Sequence, residues 1–264
     1  MQYKIISEKK EQISSKEDRE LSVIRARMAD RDDRIRENAA KALRNMGMAA
    51  LPDLLILCSD YSGSVRSSAI SAIKHIGTAA IKGAVRELRM MCNDMEWTIR
   101  WKAVETIAKL GPESIADLCA LTEHNCLKVR TKAIDELGYM EPNAKDAVPY
   151  LIEQIDRSDH HRDSCIAAVW AVGNMESDAK DALPRLYDLC NQKDEDIELH
   201  LAAADAIMKI DPNAKPPYSD IVARHVTYEG QKAIPILREL LEHENASVRL
   251  AAKDALAKMD PTFR

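Results

Sequence analysis

The sequence predicts an all-α protein, a superhelical solenoid of about seven helix pairs, and three observations predict it. Of the 264 residues, 46% are hydrophobic but only 4% are aromatic and 8 are glycine, a composition that favours helix over sheet. One short phrase recurs along the chain at a nearly constant step. Within each copy the apolar residues lie four and eight positions apart, which places them on one face of an α-helix.

The recurring phrase is an apolar residue, usually Ile or Val, followed by Arg, then Ala and then Leu or Ile. Seven copies begin at Ile35, Val65, Ile99, Val129, Ser164, Leu199 and Val248, so the successive steps are 30, 34, 30, 35, 35 and 49 residues. The arginine is absent from two copies, where Cys165 and His200 replace it. A fixed period of this length is the sequence signature of a repeat protein.

A second apolar segment precedes the phrase in most copies, so each repeat is predicted to be a pair of helices. These segments are 51–57, 81–91, 115–121, 148–155, 183–189 and 234–241. The eleven residues from Glu141 to Leu151 are similar to those from Glu176 to Leu186, and they lie where one pair ends and the next begins. This joint predicts that Asp146 or Asp181 caps the incoming helix and that Pro149 or Pro184 lies in its first turn.

Residues 1–14 are predicted to be an N-terminal extension, and residues 15–264 a single solenoid. The last step of the series is 14 residues longer than the two before it, and the surplus falls at 216–229. Ile221, Val222 and Val226 have helical spacing, which predicts an extra short helix. Two interpretations remain open: a tolerated surface insertion, or a contact element that covers part of the solenoid.

The repeated residues resemble HEAT repeats of the phycobilisome-lyase type. The resemblance runs from about residue 15 to residue 260 and rests on the apolar-Arg-x-x-Ala phrase and on the joints. It implies a right-handed, armadillo-like superhelix with the Val-Arg helices on the concave side. It says little about activity, because such repeats occur in lyases, glycosylases, hydroxylases and plain scaffolds.

Charge and apolar patterning exclude several classes of partner. The net charge is −5, with an excess of five positive charges before residue 133 and of ten negative charges after it. Neither half has the dense basic clustering that nucleic-acid binding requires, so no nucleic-acid partner is expected. No apolar run is long enough to span a bilayer. The sequence predicts a cytoplasmic protein with no membrane partner.

No candidate catalytic, cofactor or metal site emerges from the motifs. The six cysteines form no CxxC pair, which predicts reduced and mostly buried thiols. His160 and His161 are adjacent and share no helix face with another ligand. The recurring arginines, among them Arg36 and Arg66, are predicted to form a structural ion-pair ladder with acidic residues in the inter-helix turns. The candidate acids are Asp32, Asp33, Asp60 and Asp94.

The positions two and six residues after the start of each phrase are expected to face the concave side. Several of these positions hold large apolar side chains, which an unliganded solenoid would normally keep polar. The predicted partner-binding residues are Trp97, Trp101, Glu105, Asp135, Ile166, Trp170, Leu201 and Asp205. An error of one residue in the helical register would instead bury these side chains in the core.

Aromatic anchors with an acidic rim predict a non-enzymatic module that binds a peptide or protein segment, possibly a basic one. The resemblance to phycobilisome-lyase repeats suggests an alternative, a bilin lyase-like subunit. A DNA glycosylase with HEAT-like repeats is a further alternative. It is disfavoured because the predicted groove positions hold more carboxylates than cations.

Overall fold

A computed structural model describes residues 16–156, 162–192 and 196–259, with the backbone alone at 141–143. In these ranges the chain forms α-helices and short 3-10 segments, and it forms no strand. The all-α class and the repeated helix pairs are therefore confirmed. The predicted extension at 1–14 and the histidines at 160 and 161 lie outside the described residues.

The chain divides into two compact units, residues 1–118 and 119–264. That residues 15–264 form a single solenoid stays a prediction. The helices of the first unit are α1 (16–28), α2 (Asp33–Leu43), α3 (Leu51–Leu57), α4 (Gly63–Ile76), α5 (Thr78–Met91) and α6 (Trp97–Ala108). The Val-Arg helices α2, α4 and α6 form one row, in which α4 packs against both neighbours, while α3 and α5 pack behind α4.

The second unit repeats this arrangement and then departs from it. The division falls inside α7 (Ile115–Leu121), and the helices after it are α8 (Leu127–Tyr139), α9 (Val148–Asp156), α10 (Arg162–Asn174), α11 (Leu183–Asn191), α12 (Ile197–Ile210), α13 (Tyr218–Glu229), α14 (Ile234–Glu239) and α15 (Ala246–Met259). Helix α10 packs between α8 and α12, and α9 and α11 pack behind α10 and α12.

The two copies of the joint phrase adopt the same local structure. Each is a 3-10 segment, Glu141–Ala147 and Glu176–Ala182, that leads directly into an outer helix. Pro184 lies in the first turn of α11, as predicted, because its missing N–H breaks no helical hydrogen bond there. The predicted cap at Asp181 is wrong: α11 begins after Ala182 with no side-chain cap, and the N–H of Leu183 donates instead to the carbonyl of Lys180 in the 3-10 segment.

The alanine of the recurring phrase is buried wherever it occurs. Its side chain is at most 1% exposed at positions 39, 69, 103, 133, 168, 203 and 252. A methyl group at this position lets the backbones of neighbouring helices approach closely, so the repeat requires a small residue there. The core of each unit is built from these alanines and from the Leu, Ile and Val residues around them.

The insertion forms α13, which confirms the predicted extra helix. Helix α13 packs against both α12 and α15. Its Val222 is 1% exposed and shares a hydrophobic core with Leu237 of α14 and with Ala252 and Leu256 of α15. The insertion is thus an integral part of the second unit, because it supplies buried apolar surface to the last helix pair.

Candidate functional site

Two of the recurring arginines form the predicted ion-pair ladder. Arg36 binds Asp60 with Nε–Oδ2 and Nη2–Oδ1 distances of 2.7 and 3.0 Å. Arg66 binds Asp94 in the same way, at 2.7 and 2.8 Å. All four side chains are at most 9% exposed. Two parallel hydrogen bonds between buried, oppositely charged groups fix the register of successive repeats.

The arginines also share a contact with the turn that precedes their own helix. In each of the five copies Nη1 donates to the carbonyl oxygens of the residues six and five positions earlier. The other two predicted acids have different roles: Asp32 caps α2 through the N–H of Arg34, and Asp33 accepts a hydrogen bond from Ser62 Oγ. The ladder is therefore structural.

The ladder carboxylates are held in their ionised form. Burial by itself would raise the pKa of Asp60, but the hydrogen bonds from Arg36 and from the N–H of Ser62 outweigh burial and lower that pKa. Asp94 has the same balance, with Arg66 and the N–H of Glu96 as donors, and its pKa is also lowered. At neutral pH the fold is therefore more stable with each of these carboxylates ionised than it would be with the carboxylate protonated.

The tryptophans of α6 are exposed, so the register on which the groove prediction depends is correct in the first unit. Trp97 and Trp101 lie one turn apart and are 53% and 38% exposed. Glu105, one turn further on, is half-buried and pairs with Lys74 of α4 at 2.6 Å. The acidic rim predicted at Glu105 is therefore already neutralised by a cation of the neighbouring repeat.

In the second unit, the predicted residues of α8 and α10 also reach the surface. Trp170 is 60% exposed, and Asp135 and Ile166 are half-buried. Burial raises the pKa of Asp135, Lys132 lowers it to a smaller extent, and Glu136 adds to the increase. A carboxylate that is partly desolvated gains from a cationic ligand, because the ligand replaces the lost hydration.

Leu201 is the residue whose predicted exposure is wrong, since it is only 3% exposed. On the surface of α12, Leu201 lies one turn from Ile197 and one turn from Asp205. Ile197 lines a cleft together with Ile221 of α13, and Asp205 binds Tyr218 of α13. Helix α13 therefore covers this part of α12. A regular repeat has no such helix, which is why the repeat pattern predicted an exposed side chain.

Asp205 is held in a polar network that also depends on α13. Its Oδ1 accepts hydrogen bonds from Tyr218 Oη at 2.7 Å and from Asn245 Nδ2 at 3.1 Å, and Asn245 also donates to Tyr218 Oη. His243 Nε2 lies 3.9 Å from Oδ2. Burial and the bond to Asp205 raise the pKa of the Tyr218 hydroxyl, so it keeps the proton that it donates to Asp205. Asp205 thus links α12, α13 and the turn before α15.

A cleft opens beside Trp170, and we name it the tryptophan cleft. It has a volume of about 340 Å³ and lies between α10, α12 and the turn before α15. Trp170 and Gly173 line one side, and the carboxylates of Asp205 and Glu244 line it as well. Lys209 Nζ lies 5.6 Å from the centre of the Trp170 ring and donates to Asn174 at 3.1 Å.

Sequence reasoning missed Lys209, Glu244 and Asn245 at this cleft. Lys209 lies ten residues after Leu199, beyond the two positions per repeat that were expected to face the groove. Glu244 and Asn245 precede the phrase of the last repeat and reach α12 only because the chain first passes through α13. The repeat pattern does not indicate that the chain comes back to α12 after α13.

The remaining candidate chemistry of the described chain is sparse. Of the six free thiols, those at 58, 92, 119, 165 and 190 are buried, as predicted, and Cys126 is half-buried. Burial raises the pKa of Cys58 and of Cys92 to about 12. Among the residues that the structure describes, no three His, Cys, Asp or Glu side chains cluster as metal ligands, and no helix is long and apolar enough to cross a membrane.

Of the comparisons with known proteins, only the one with solved structures finds proteins similar to this chain. No family model matches the sequence, and no curated protein matches it. An engineered protein from a structural genomics programme is similar at 20% identity and a TM-score of 0.46, over 90% of this chain and 68% of its own. A computationally designed armadillo repeat protein for modular peptide recognition is similar at 18% identity and a TM-score of 0.44, over 72% and 100%.

A third similar structure is a designed armadillo repeat protein in complex with the peptide (KR)4. It is 20% identical, with a TM-score of 0.42, and the match covers 80% of this chain and 99% of that one. Identities and TM-scores this low carry no argument about function. The described residues themselves define the class, a helical repeat protein built from stacked helix pairs.

Proposed function

We propose that this protein is a non-enzymatic binding module and that the tryptophan cleft of the second unit holds a peptide or protein segment. The observation that carries the proposal is Trp170, whose indole is 60% exposed at the edge of a cleft of about 340 Å³. Tryptophan is among the residues that most often dominate binding energy at interfaces. A solvent-exposed indole beside a preformed cleft is a suitable anchor for an apolar side chain.

The charge of the cleft favours a basic segment. Glu244 is exposed, and Asp205 is a second carboxylate of the lining, with its Oδ1 used in hydrogen bonds within the protein. Lys209 is the single cation among the lining residues, and it already lies over one side of Trp170. An incoming Arg or Lys is therefore expected near Glu244, with an apolar neighbour against the free side of the indole.

Trp97 and Trp101 of the first unit form a second surface of the same kind, and we include both in the proposed binding surface together with Glu105. In the second unit the proposed residues are Asp135, Ile166, Trp170 and Asp205, to which we add Glu244. Leu201 is excluded because α13 covers it. We also retain the proposal that the repeats are of the HEAT type.

Binding of fluorescent twelve-residue peptides tests the proposal. A peptide that alternates Arg and Leu should bind, and its counterpart that alternates Glu and Leu should not. Trp170→Ala should weaken binding by roughly tenfold or more, which corresponds to a hot-spot loss of about 2 kcal/mol. Tyr150→Ala is the matched control, because Tyr150 is 47% exposed on the outer helix α9.

Two outcomes would overturn the proposal. In one, Trp170→Ala and Tyr150→Ala weaken binding equally, so that the cleft has no special role. In the other, Trp170→Ala lowers the melting temperature as much as a core substitution does, so that the indole is structural. Glu244→Gln tests the charge preference separately and should reduce the difference between the two peptides.

A further inference from the structure

The insertion helix builds a second cleft, which is independent of the binding surface proposed above. This cleft lies between α12, α13 and the end of α11 and has a volume of about 340 Å³. We name it the insertion cleft. Ile197 of α12 and Ile221 of α13 form its apolar part, and Tyr228, which is 60% exposed, also lines it. A regular repeat of this chain has no α13 and therefore no such cleft.

Every polar residue that lines the insertion cleft carries a hydrogen-bond donor, and Arg224 is a cation, whereas two carboxylates line the tryptophan cleft. Gln192, His200, Arg224 and His225 line it, and no carboxylate does so among the described residues. Arg224 is a permanent cation, and imidazole gains a positive charge at mildly acidic pH. This donor-rich cleft lies in the half of the chain that carries the negative excess.

Arg224 is held in place but is not saturated with acceptors. One of its terminal nitrogens donates to the backbone carbonyl of Cys190, which fixes the guanidinium against the end of α11. Its Nε is buried and has no hydrogen-bond partner among the described residues, and no described carboxylate forms a salt bridge with it. A buried donor without an acceptor is costly, and buried polar groups in native proteins are nearly always satisfied.

We propose that the insertion cleft binds the oxyanion group of a small ligand, a phosphate monoester or a carboxylate, through Arg224. The oxyanion accepts hydrogen bonds from the guanidinium and the neighbouring imidazoles, since planar guanidinium groups match the geometry of both anions. The apolar part of the ligand rests against Ile197, Ile221 and Tyr228. A volume of this size lies at the lower end of the range for small-molecule pockets.

Calorimetric titration with phenyl phosphate, benzoate and benzyl alcohol at constant ionic strength tests the proposal. Phenyl phosphate or benzoate should bind, and the stronger of the two identifies the preferred oxyanion. Neutral benzyl alcohol should bind at least about tenfold more weakly, because it leaves Arg224 without an anionic acceptor. Equal affinity for all three ligands would overturn the proposal.

Substitutions assign the binding to the cleft. Arg224→Gln should weaken binding of the preferred anion by about 10- to 100-fold, the loss expected for a charge-assisted hydrogen bond. Lys253→Gln removes the same charge from an exposed position of α15 and should have no effect. If both variants bind as the wild type does, or if both lose binding equally, the assignment to Arg224 is wrong.

A second variant keeps the test decisive if Arg224→Gln does not fold. Tyr228 is largely exposed, so Tyr228→Ala should leave the melting temperature unchanged. It should weaken binding of phenyl phosphate while leaving the weaker binding of inorganic phosphate unchanged, because only the former ligand has a ring to place against Tyr228. Unchanged binding of phenyl phosphate would contradict the proposed pose.

Discussion

The two units connect their neighbouring Val-Arg helices by different means. In the first unit, the buried pairs Arg36–Asp60 and Arg66–Asp94 link each repeat to the next. In the second unit, Cys165 in α10 and His200 in α12 replace the equivalent arginine, and the pair between these helices is instead Arg162–Asp196, which is much more exposed. The helical period is nevertheless maintained in both units.

In the second unit, close packing of small residues adds to this exposed ion pair. A Cβ atom added to Gly138 of α8 would lie 2.9 Å from the Cα of Ala171 in α10. One added to Gly173 of α10 would lie 3.1 Å from the Cβ of Ala206 in α12. Neither glycine is at a turn, so the reason for glycine is the approach of the neighbouring backbone. The same repeat thus accommodates two kinds of contact between neighbouring Val-Arg helices.

The largest effect is expected from breaking a ladder pair. Asp94→Ala leaves the buried guanidinium of Arg66 without its main partner and should lower the free energy of unfolding by roughly 3–5 kcal/mol. Urea denaturation followed by circular dichroism measures this loss. Glu113→Ala breaks the exposed pair with Lys82 and should cost less than about 1 kcal/mol. Equal losses would show that the ladder is no more important than a surface ion pair.

Adding a larger side chain at Gly138 should have the next largest effect on stability. Gly138→Val forces α8 away from Ala171 and should lower the free energy of unfolding by about 1–3 kcal/mol, although valine has the better helix propensity. Gly173→Ala meets a less severe contact and should cost less. If Gly138→Val stabilises the protein in the same urea experiment, α8 and α10 can separate freely and their packing does not depend on close approach.

Acid should weaken the ladder further. The lowered pKa values of Asp60 and Asp94 contribute stability that is fully present above the unfolded carboxyl pKa of about 3.9 and is lost as the pH falls through the lower folded value. The free energy of unfolding should therefore fall below pH 4. Asp94→Ala should show a smaller fall than the wild type. An identical pH profile in both proteins would contradict this account.

Asp135 should show a small effect of the opposite sign. Its raised pKa means that the fold disfavours the ionised carboxylate, so its contribution to stability falls as the pH rises from the unfolded to the folded pKa. Asp135→Asn should stabilise the protein at pH 7 by less than about 1 kcal/mol and should weaken binding of the basic peptide. A variant that is both less stable and unchanged in peptide binding would remove Asp135 from the proposed surface.

The sequence predicted the regular part of the fold well, because the period of the apolar residues is set by helix geometry. The outer helices α3, α7 and α11 begin at the first residue of their predicted segments, and the alanine of the phrase is buried in every copy. Trp101 and Trp170 are exposed because they lie on the face of the helix opposite these alanines. These features depend only on contacts between adjacent repeats.

The errors share a different physical origin. Leu201 is buried and Asp205 is bound by Tyr218, because α13 lies against α12 where the repeat pattern provides no neighbour. The pattern placed an extra helix in the insertion but contained nothing about the surface against which it packs. Glu244 and Asn245 join the tryptophan cleft through the same departure. Contacts outside the repeat pattern cannot be predicted from the period of the sequence and are seen only in the structure.

The burial of five thiols and the partial exposure of the sixth have a practical consequence for measuring local motion. A maleimide reagent should react quickly with Cys126 alone, since alkylation requires access to a thiolate. Each slower labelling event then reports the opening of one particular helix pair. The unmodified chain therefore contains its own set of reporters, distributed from α3 to α11, for the order in which its helix pairs come apart.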